Sequence, residues 1–417
     1  MIALADCNNF YASCERVFSP NLKNKPVIVL SNNDGCIIAR SNESKALGIK
    51  MGEPVFKIRE IIEKNNVYVF STNFALYGDM SSRVMSLLSS MSPGTEIYSI
   101  DEAFMDFKGI KNAEKLAVYM RNTISKSTGI PISIGIAPTK TLSKIANHIA
   151  KKHSDTGVCL LQTQRQILDA LINLPVSKLW GVGKRSTEKL HIYGINSIHD
   201  FMMLNEGWVK KNMSITGVRI QRELRGESCF SIDTHPNRKK SICTSRSFAS
   251  KLSDIDSIRE VVVSHASRCA EKLRSQGSCA GHVSVFLQTD PYSKFQRYYN
   301  GYTSINLAIP SNDTIHLIKA SVDLLESLYI DNLVYKKAGV IVGDIVPNNS
   351  VQLHLFSNDF NLDRANLCKS VDFINRTIGG DKVHILGEGI SSRKKLRQEK
   401  LSPCYTTKWS ELLRVGY

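Results

Sequence analysis

Residues 96 to 107 read EIYSIDEAFMDF, an apolar, strand-like run with two adjacent acids in its middle. Ile97, Tyr98, Ile100, Ala103, Phe104, Met105 and Phe107 call for burial, whereas Asp101 and Glu102 resist it. One continuous strand would send the two carboxylates to opposite faces and into different surroundings. A tight turn between two antiparallel strands, EIYSI and AFMDF, removes the conflict. The acids then sit at the edge of a sheet, where they can converge.

The flanking sequence predicts the rest of that sheet. MIALADCNNFYASC passes from alternating apolar residues to small and aromatic ones, predicting strand, turn and helix. KPVIVLSNNDGCIIARS holds two β-branched runs joined by Asn32-Asn33-Asp34-Gly35, a hairpin signal, and SNESKALGIKMG predicts a short helix ending near Gly48. From Val67 the pattern runs strand (VYVFST), helix (Leu76 to Met91), the two strands of the acidic hairpin, helix (Ala113 to Thr128) and strand (PISIGIAP). Joined by the first strand, these predict a mixed sheet with helices on one face, an α+β arrangement.

Thr139 to Lys152 reads as a Lys- and Ala-rich helix, and the chain beyond Gln164 as short helices with Gly-containing turns up to about Gly226. SIDTHPNRKK is a polar, basic linker. Mixed structure returns over 242–346, with helices predicted from Ile255 to Arg274 and Asp313 to Tyr329 and strands at HVSVFLQ and KAGVIVGDIV. The last segment, 348–417, is polar and irregular in pattern.

A chain of 417 residues predicts about two to four domains. No stretch approaches a membrane span, and the N-terminal run, broken by Asp6, does not read as a signal peptide. The ten cysteines form no CxxC pair, which predicts reduced thiols in a cytoplasmic protein. The net charge of +16 favours a polyanionic partner. Residues 151–240 sharpen this, with 15 basic residues against 8 acidic ones.

Asp6 ends the first strand, which can pair beside the acidic hairpin. Three carboxylates in a low-dielectric cleft repel one another unless a cation lies among them. Such a hard oxygen set suits Mg²⁺, and a pair of such ions serves in-line displacement at phosphorus.

DCNNFYASCE, IARSNESKALGIKMGEP, YSIDEAFMDF and PISIGIAPTKTLSKIANHIAK follow one another in the order and spacing of the Y-family translesion DNA polymerases, and the chain resembles their UmuC type most. The resemblance extends to LSPCYTTKW near the C-terminus. It implies a right-hand polymerase: a ferredoxin-like palm (1–16 and 67–164), small fingers (17–66), a helical thumb (165–230), a linker (231–241), an α+β little finger (242–347) and a tail (348–417). It implies error-prone, template-directed deoxynucleotide transfer to a primer end past damaged bases in the SOS response. Asp6, Asp101 and Glu102 become the catalytic, metal-binding carboxylates for two Mg²⁺ ions, with the backbone carbonyl of Cys7.

The resemblance also makes Tyr11, next to Phe10, a steric gate against a 2′-hydroxyl. Lys45 and Lys151 become triphosphate contacts. The archaeal pattern has a Tyr and an Arg where Asn42 and Lys45 stand, and Arg40 is the candidate for the missing guanidinium. Gly181 and Gly183, followed by Lys184 and Arg185, resemble a helix-hairpin-helix turn that holds a DNA phosphate on backbone N–H groups. QLHLF at 352–356 resembles a sliding-clamp peptide, with Gln352, Leu353, Leu355 and Phe356 as its contacts. Implied partners are primer-template DNA, a dNTP, the clamp, a UmuD-type accessory dimer and a RecA filament. RKKLRQEK at 393–400 reads as a solvated helix face or a nonspecific DNA contact, and the small residues Ser31, Gly35, Ala39, Ser41 and Ser44 suggest fingers that press loosely on a nascent pair. Two rivals remain: a noncatalytic DNA-binding subunit that keeps the fold, and a nucleotide cyclase-like enzyme on the same palm architecture, which would need neither thumb nor clamp peptide.

Overall fold

The computed structural model describes residues 1–234, 238–352, 362–378, 382–389 and 397–413. They form two compact units, one of residues 1–236 with 398–417 and one of residues 237–397.

The first unit opens with β1 (Ile2–Cys7), α1 (Phe10–Phe18), β2 (Val27–Leu30), β3 (Ile37–Arg40), α2 (Asn42–Ala46), α3 (Arg59–Lys64) and β4 (Tyr68–Ser71). It continues through α4 (Phe74–Ser90), β5 (Thr95–Ile97), β6 (Glu102–Asp106), α5 (Ala113–Thr128), β7 (Ile132–Ala137), α6 (Lys140–His153) and β8 (Val158–Leu160). Four helices follow: α7 (Gln164–Asn173), α8 (Lys184–Ile192), α9 (Ile198–Met203) and α10 (Glu206–Leu224). The main sheet has the order β5-β6-β1-β7-β8. Its first four strands, with α4 and α5 as crossovers, give the ferredoxin-like arrangement expected from the sequence.

Two expectations change. VYVFST does not join this sheet: β4 pairs in parallel with β2, and β2 pairs antiparallel with β3, in a separate three-stranded sheet. Helices also cover both faces of the main sheet. Leu76, Met80 and Val84 of α4 and Met120 and Ile124 of α5 pack with Ala3, Ala5 and Met105 on one face. On the other, Asn147 of α6 donates to the carbonyls of Leu4 (3.2 Å) and Ser133 (2.8 Å). Gly135 permits that approach, since any Cβ there would run into the backbone of α6 at Ser143, Ala146 and Asn147. β7 is accordingly buried at all six positions, the mark of a strand covered on both sides.

The hairpin of β2 and β3 turns at Asn33 and Asp34, both with positive φ, a conformation that Asn and Asp tolerate better than most residues. The helices after β8 gather around Leu171, Val176, Leu190, Ile198, Phe201 and Leu224. The buried Glu223 binds them to α6. Its Oε2 accepts from the N–H and Oγ1 of Thr141 (2.8 Å each), and its Oε1 from the N–H groups of Cys229 and Phe230 (3.1 Å each).

The second unit contains β9 (Ile242–Leu252), α11 (Ile255–Ser275), β10 (Ser278–Thr289), β11 (Asn300–Ser311), α12 (Thr314–Leu328), β12 (Tyr335–Pro347) and α13 (Leu362–Ile378). Its antiparallel sheet has the order β11-β10-β12-β9, with α11 and α12 packed against it. α13 lies in the segment that looked irregular in sequence. It is fastened by Arg274, whose guanidinium forks onto Asp372 at 2.6 and 2.8 Å and donates to the carbonyl of Asn312. Residues 398–413, from the same expected tail, belong instead to the first unit. Among the described residues no helix is long and apolar enough to cross a membrane, and all ten cysteines are free.

Candidate active site

The acidic pair sits where the hairpin argument put it. β5 and β6 pair through Thr95–Met105, Glu96–Phe104 and Ile97–Ala103, and residues 98–101 make the turn. Glu102 is the first residue of β6 and stands opposite Asp6 in the antiparallel register of β1, so the two side chains share a face. Asp101, one residue earlier, has left the strand. Its carbonyl accepts from the Cys7 N–H at 2.8 Å, and Ser99 Oγ donates to its Oδ1 at 2.6 Å. The Cys7 side chain is buried in the core, which leaves only its backbone for the site.

Counter-charge reaches the acids from α6. Lys151 Nζ lies 2.6 Å from Asp6 Oδ2, and Lys144 Nζ 2.8 Å from Glu102 Oε2. Burial pushes the Asp6 carboxyl up to about 7 against the pull of Lys151, and the neighbouring Glu102 carboxyl pushes the same way. The expected three-carboxylate cage is not closed: among the described residues no three His, Cys, Asp or Glu side chains are grouped to hold an ion. Each acid has a partner instead: Lys151 for Asp6, Lys144 for Glu102 and the Ser99 hydroxyl for Asp101. The donor chemistry still suits Mg²⁺, because two crowded carboxylates and a third on the adjoining turn are hard oxygen ligands that gain from positive charge.

A cavity of about 380 Å³ opens over this edge of the sheet. Asp6, Cys7, Phe10, Tyr11, Arg40, Lys45, Asp101 and Lys151 all line it, so residues far apart in sequence share one space. Glu102 is not in the lining but stands against Asp6. Lys45 Nζ donates to Asn9 Oδ1 at 2.6 Å, and Arg40 Nη1 to the Ile49 carbonyl at 2.5 Å. Burial holds the Lys45 ammonium below its ordinary range, and the charges of Arg40 and Lys151 add to that. Three mutually repelling cations beside carboxylates form a place for a polyanion carrying its own cations. The Tyr11 ring stacks on Tyr77 at 4.5 Å and 14°, with Phe74 edge-on at 6.2 Å. Phe10, by contrast, is 4% exposed and belongs to the core.

The impB/mucB/samB family model matches residues 5–148, and the model of that family's C-terminal domain matches residues 239–355. The chain belongs to the impB/mucB/samB family. It is 42% identical to Protein UmuC and to Protein ImpB of Salmonella typhimurium, in each case over the whole of both chains. It is 27% identical to DNA polymerase IV 1 of Bacillus subtilis over 95% of this chain and 94% of that one. Among solved structures, a Y-family DNA polymerase chimera built on Dbh aligns with a TM-score of 0.67 at 21% identity, over 84% of this chain and all of that one. The fold is therefore that of the Y-family polymerases, with palm, fingers, thumb and little finger. Residues 365–415 match a further model, described only as a domain of unknown function.

In this impB/mucB/samB chain, Gly181 has φ +79° and Gly183 caps α8 without a side-chain hydrogen bond. Lys184 and Arg185 are exposed at its first turn. Ser41 caps α2 and Ser44 Oγ donates to the Val27 carbonyl, so these two serve the fold, and of the five small residues between 31 and 44 only Ala39 lines the cavity. Gln352 is exposed, while Leu353, Leu355 and Phe356 lie outside the described residues. So do residues 393–396; of the described remainder of that basic run, 397–400, Gln398, Glu399 and Lys400 are bonded to Thr72, Asp34 and Ser71 and lie outside any helix.

Sequence reasoning missed Lys144, Ser99 and Asn9. A signal for Lys144 was present: Lys140, Lys144 and Lys151 recur at helical spacing along one side of α6. Lys140 meets Glu96 as Lys144 meets Glu102, so one stripe of lysines serves the acidic hairpin.

Proposed function

We propose that the chain is an error-prone translesion DNA polymerase. It transfers a template-directed deoxynucleotide to a primer 3′ end past damaged bases, with release of pyrophosphate, in the cytoplasm and within the SOS response. The observation that carries this is one cavity lined together by Asp6 and Asp101, by Arg40, Lys45 and Lys151, and by Tyr11. Polymerase chemistry needs that combination: acids at the reacting phosphorus, cations along a triphosphate, and a flat side chain under the sugar.

In this reading Asp6, Asp101, Glu102 and the Cys7 carbonyl hold two Mg²⁺ ions. Bound there, the ions neutralise the triphosphate and make the primer hydroxyl more acidic. Lys45 and Arg40 grip phosphate oxygens, and Lys151 exchanges its Asp6 partner for one. Tyr11 excludes a 2′-hydroxyl by collision. The N–H groups opening α8, with Lys184 and Arg185, hold a backbone phosphate of the primer-template without reading bases. Residues 352–356 dock on the sliding clamp. A UmuD-type dimer and a RecA filament complete the working assembly.

Extension of a primer on a defined template, undamaged or carrying an abasic site, with and without those two partners, tests the reading. Wild type is expected to extend and to pass the lesion, and Asp101→Ala to do neither. A noncatalytic subunit would extend nothing, and a cyclase-like enzyme would consume nucleotide regardless of primer.

A further inference from the structure

The C-terminal stretch Gln398–Tyr405 lies in the region whose family model is a domain of unknown function, belongs to the first unit and ends against Phe18 of α1. Leu401 bridges to Ser71 at the end of β4 in parallel, with Ser71 N–H donating to the Lys400 carbonyl at 2.9 Å and Lys400 N–H to Ser71 Oγ at 3.0 Å. Asn73 reads the next two residues: its Nδ2 donates to the Ser402 carbonyl at 2.9 Å, to Ser402 Oγ at 3.0 Å and to the Pro403 carbonyl at 3.3 Å. The Asn73 Oδ1 meanwhile caps α4 by accepting from the Leu76 N–H. Tyr405 stacks on Phe18 of α1 at 4.8 Å and 13°. The strap thus touches β4, the start of α4 and α1 together.

Its deepest contact is with a buried acid. Ser402 Oγ donates to Glu15 Oε1 at 3.0 Å, and Tyr77 OH donates to the same oxygen at 2.6 Å. Glu15 is 1% exposed and Tyr77 fully buried. Tyr77 in turn is the ring on which Tyr11 stacks. A buried carboxylate needs its donors, so the Ser402 hydroxyl helps fix Glu15, Glu15 fixes the Tyr77 hydroxyl, and the Tyr77 ring fixes Tyr11.

We infer that the C-terminal strap is a positioning element for sugar discrimination, acting on the gate through Ser402, Glu15 and Tyr77. The inference rests on the reading of Tyr11 as the gate. None of the three lines the cavity, and they reach it through the contact of Tyr77 with Tyr11.

The test is single-nucleotide insertion by the full chain, comparing kcat/KM for a dNTP with that for the matching rNTP. Ser402→Ala and Tyr405→Ala are expected to lower the deoxy-over-ribo ratio about threefold to tenfold, the range over which a loosened rotamer alters a rate. Ser402→Thr, which keeps the hydroxyl, is expected to restore it. Tyr11→Ala is the control and should collapse the ratio. If Tyr11→Ala collapses the ratio while the strap variants keep it, or lower both rates equally, the inference is overturned and the gate stands. If Tyr11→Ala leaves the ratio intact, the gate reading fails and the inference with it.

Discussion

Glu15→Gln should make the first unit more stable at neutral and alkaline pH, and nearly indifferent to the change in acid. Burial pushes the Glu15 carboxyl from an ordinary 4.5 up to about 7, against the pull of the Tyr77 and Ser402 hydroxyls. Between those two values the native state holds a proton that the unfolded chain has released, so stability falls as pH rises through the window and levels off above it. Converted at 1.36 kcal/mol for each tenfold change in proton affinity, the full loss is about 3 kcal/mol. Glutamine keeps an oxygen for both hydroxyl donors and carries no charge, so it escapes that loss. Burial also pushes the thiol of Cys14 and the phenols of Tyr77 and Tyr405 upward, which leaves Glu15 as the group that titrates there near neutrality. Asp6, also pushed to about 7, is common to both proteins and cancels in the difference.

The assay is urea unfolding followed by tryptophan fluorescence. Trp180, Trp208 and Trp409 all belong to the first unit, so the signal reports that unit alone. The stability gap between Glu15→Gln and wild type should widen by about 3 kcal/mol from pH 4.5 to about pH 8. A gap that stays constant, or narrows, across that range refutes the argument that Glu15 is a buried acid held above its ordinary range.

Gly135→Ala should destabilise the same unit by about 3 kcal/mol, since a methyl group there meets α6 backbone rather than a movable side chain; the same urea titration reads it, and a change within experimental error would mean that α6 does not press on β7. Lys184→Ala and Arg185→Ala should weaken DNA binding equally for unrelated sequences. Each should also reduce the steepness of log K against log salt by about 1, as fluorescence anisotropy at several salt concentrations would measure. A sequence-dependent loss would contradict backbone contact at α8.

What could be read in advance followed from local pattern. α5 runs from Ala113 to Thr128, as its spacing predicts, because helical periodicity is written within the segment itself. The turn at Asp101 and Glu102 was forced by two charges amid apolar neighbours. Partnership was harder. Tyr68 to Ser71 is recognisable as a strand, yet its pairing with β2 rather than β1 depends on residues some forty positions away, and strand periodicity names a face, not a neighbour. The second helical layer left a trace that went unused: ISIGIA does not alternate, and a short strand without a polar face is covered on both sides. Ser402 left no trace at all. A serine in a polar tail looks solvated until the buried acceptor it meets, 387 residues away, is known.

α1 explains why the two ends of the chain meet at this place. Tyr11, Glu15 and Phe18 stand at positions i, i+4 and i+7, which puts them along one stripe of the helix. The first turn of that stripe reaches the cavity beside Asp6 through Tyr11. The second carries the buried carboxyl shared by Tyr77 and Ser402, and the last carries the ring on which Tyr405 stacks. Tyr77 can touch Tyr11 and Glu15 at once only because those residues are one turn apart. Just before the helix stands Asn9, whose left-handed backbone turns the chain sharply three residues after Asp6. From Phe18 to Tyr11 is about two helical turns, so the strap's contacts and the Tyr11 ring stand on one rigid helix. That puts the C-terminal segment and the Tyr11 ring on one helix, and it predicts that undocking the strap changes which sugar is accepted before it changes whether the chain folds.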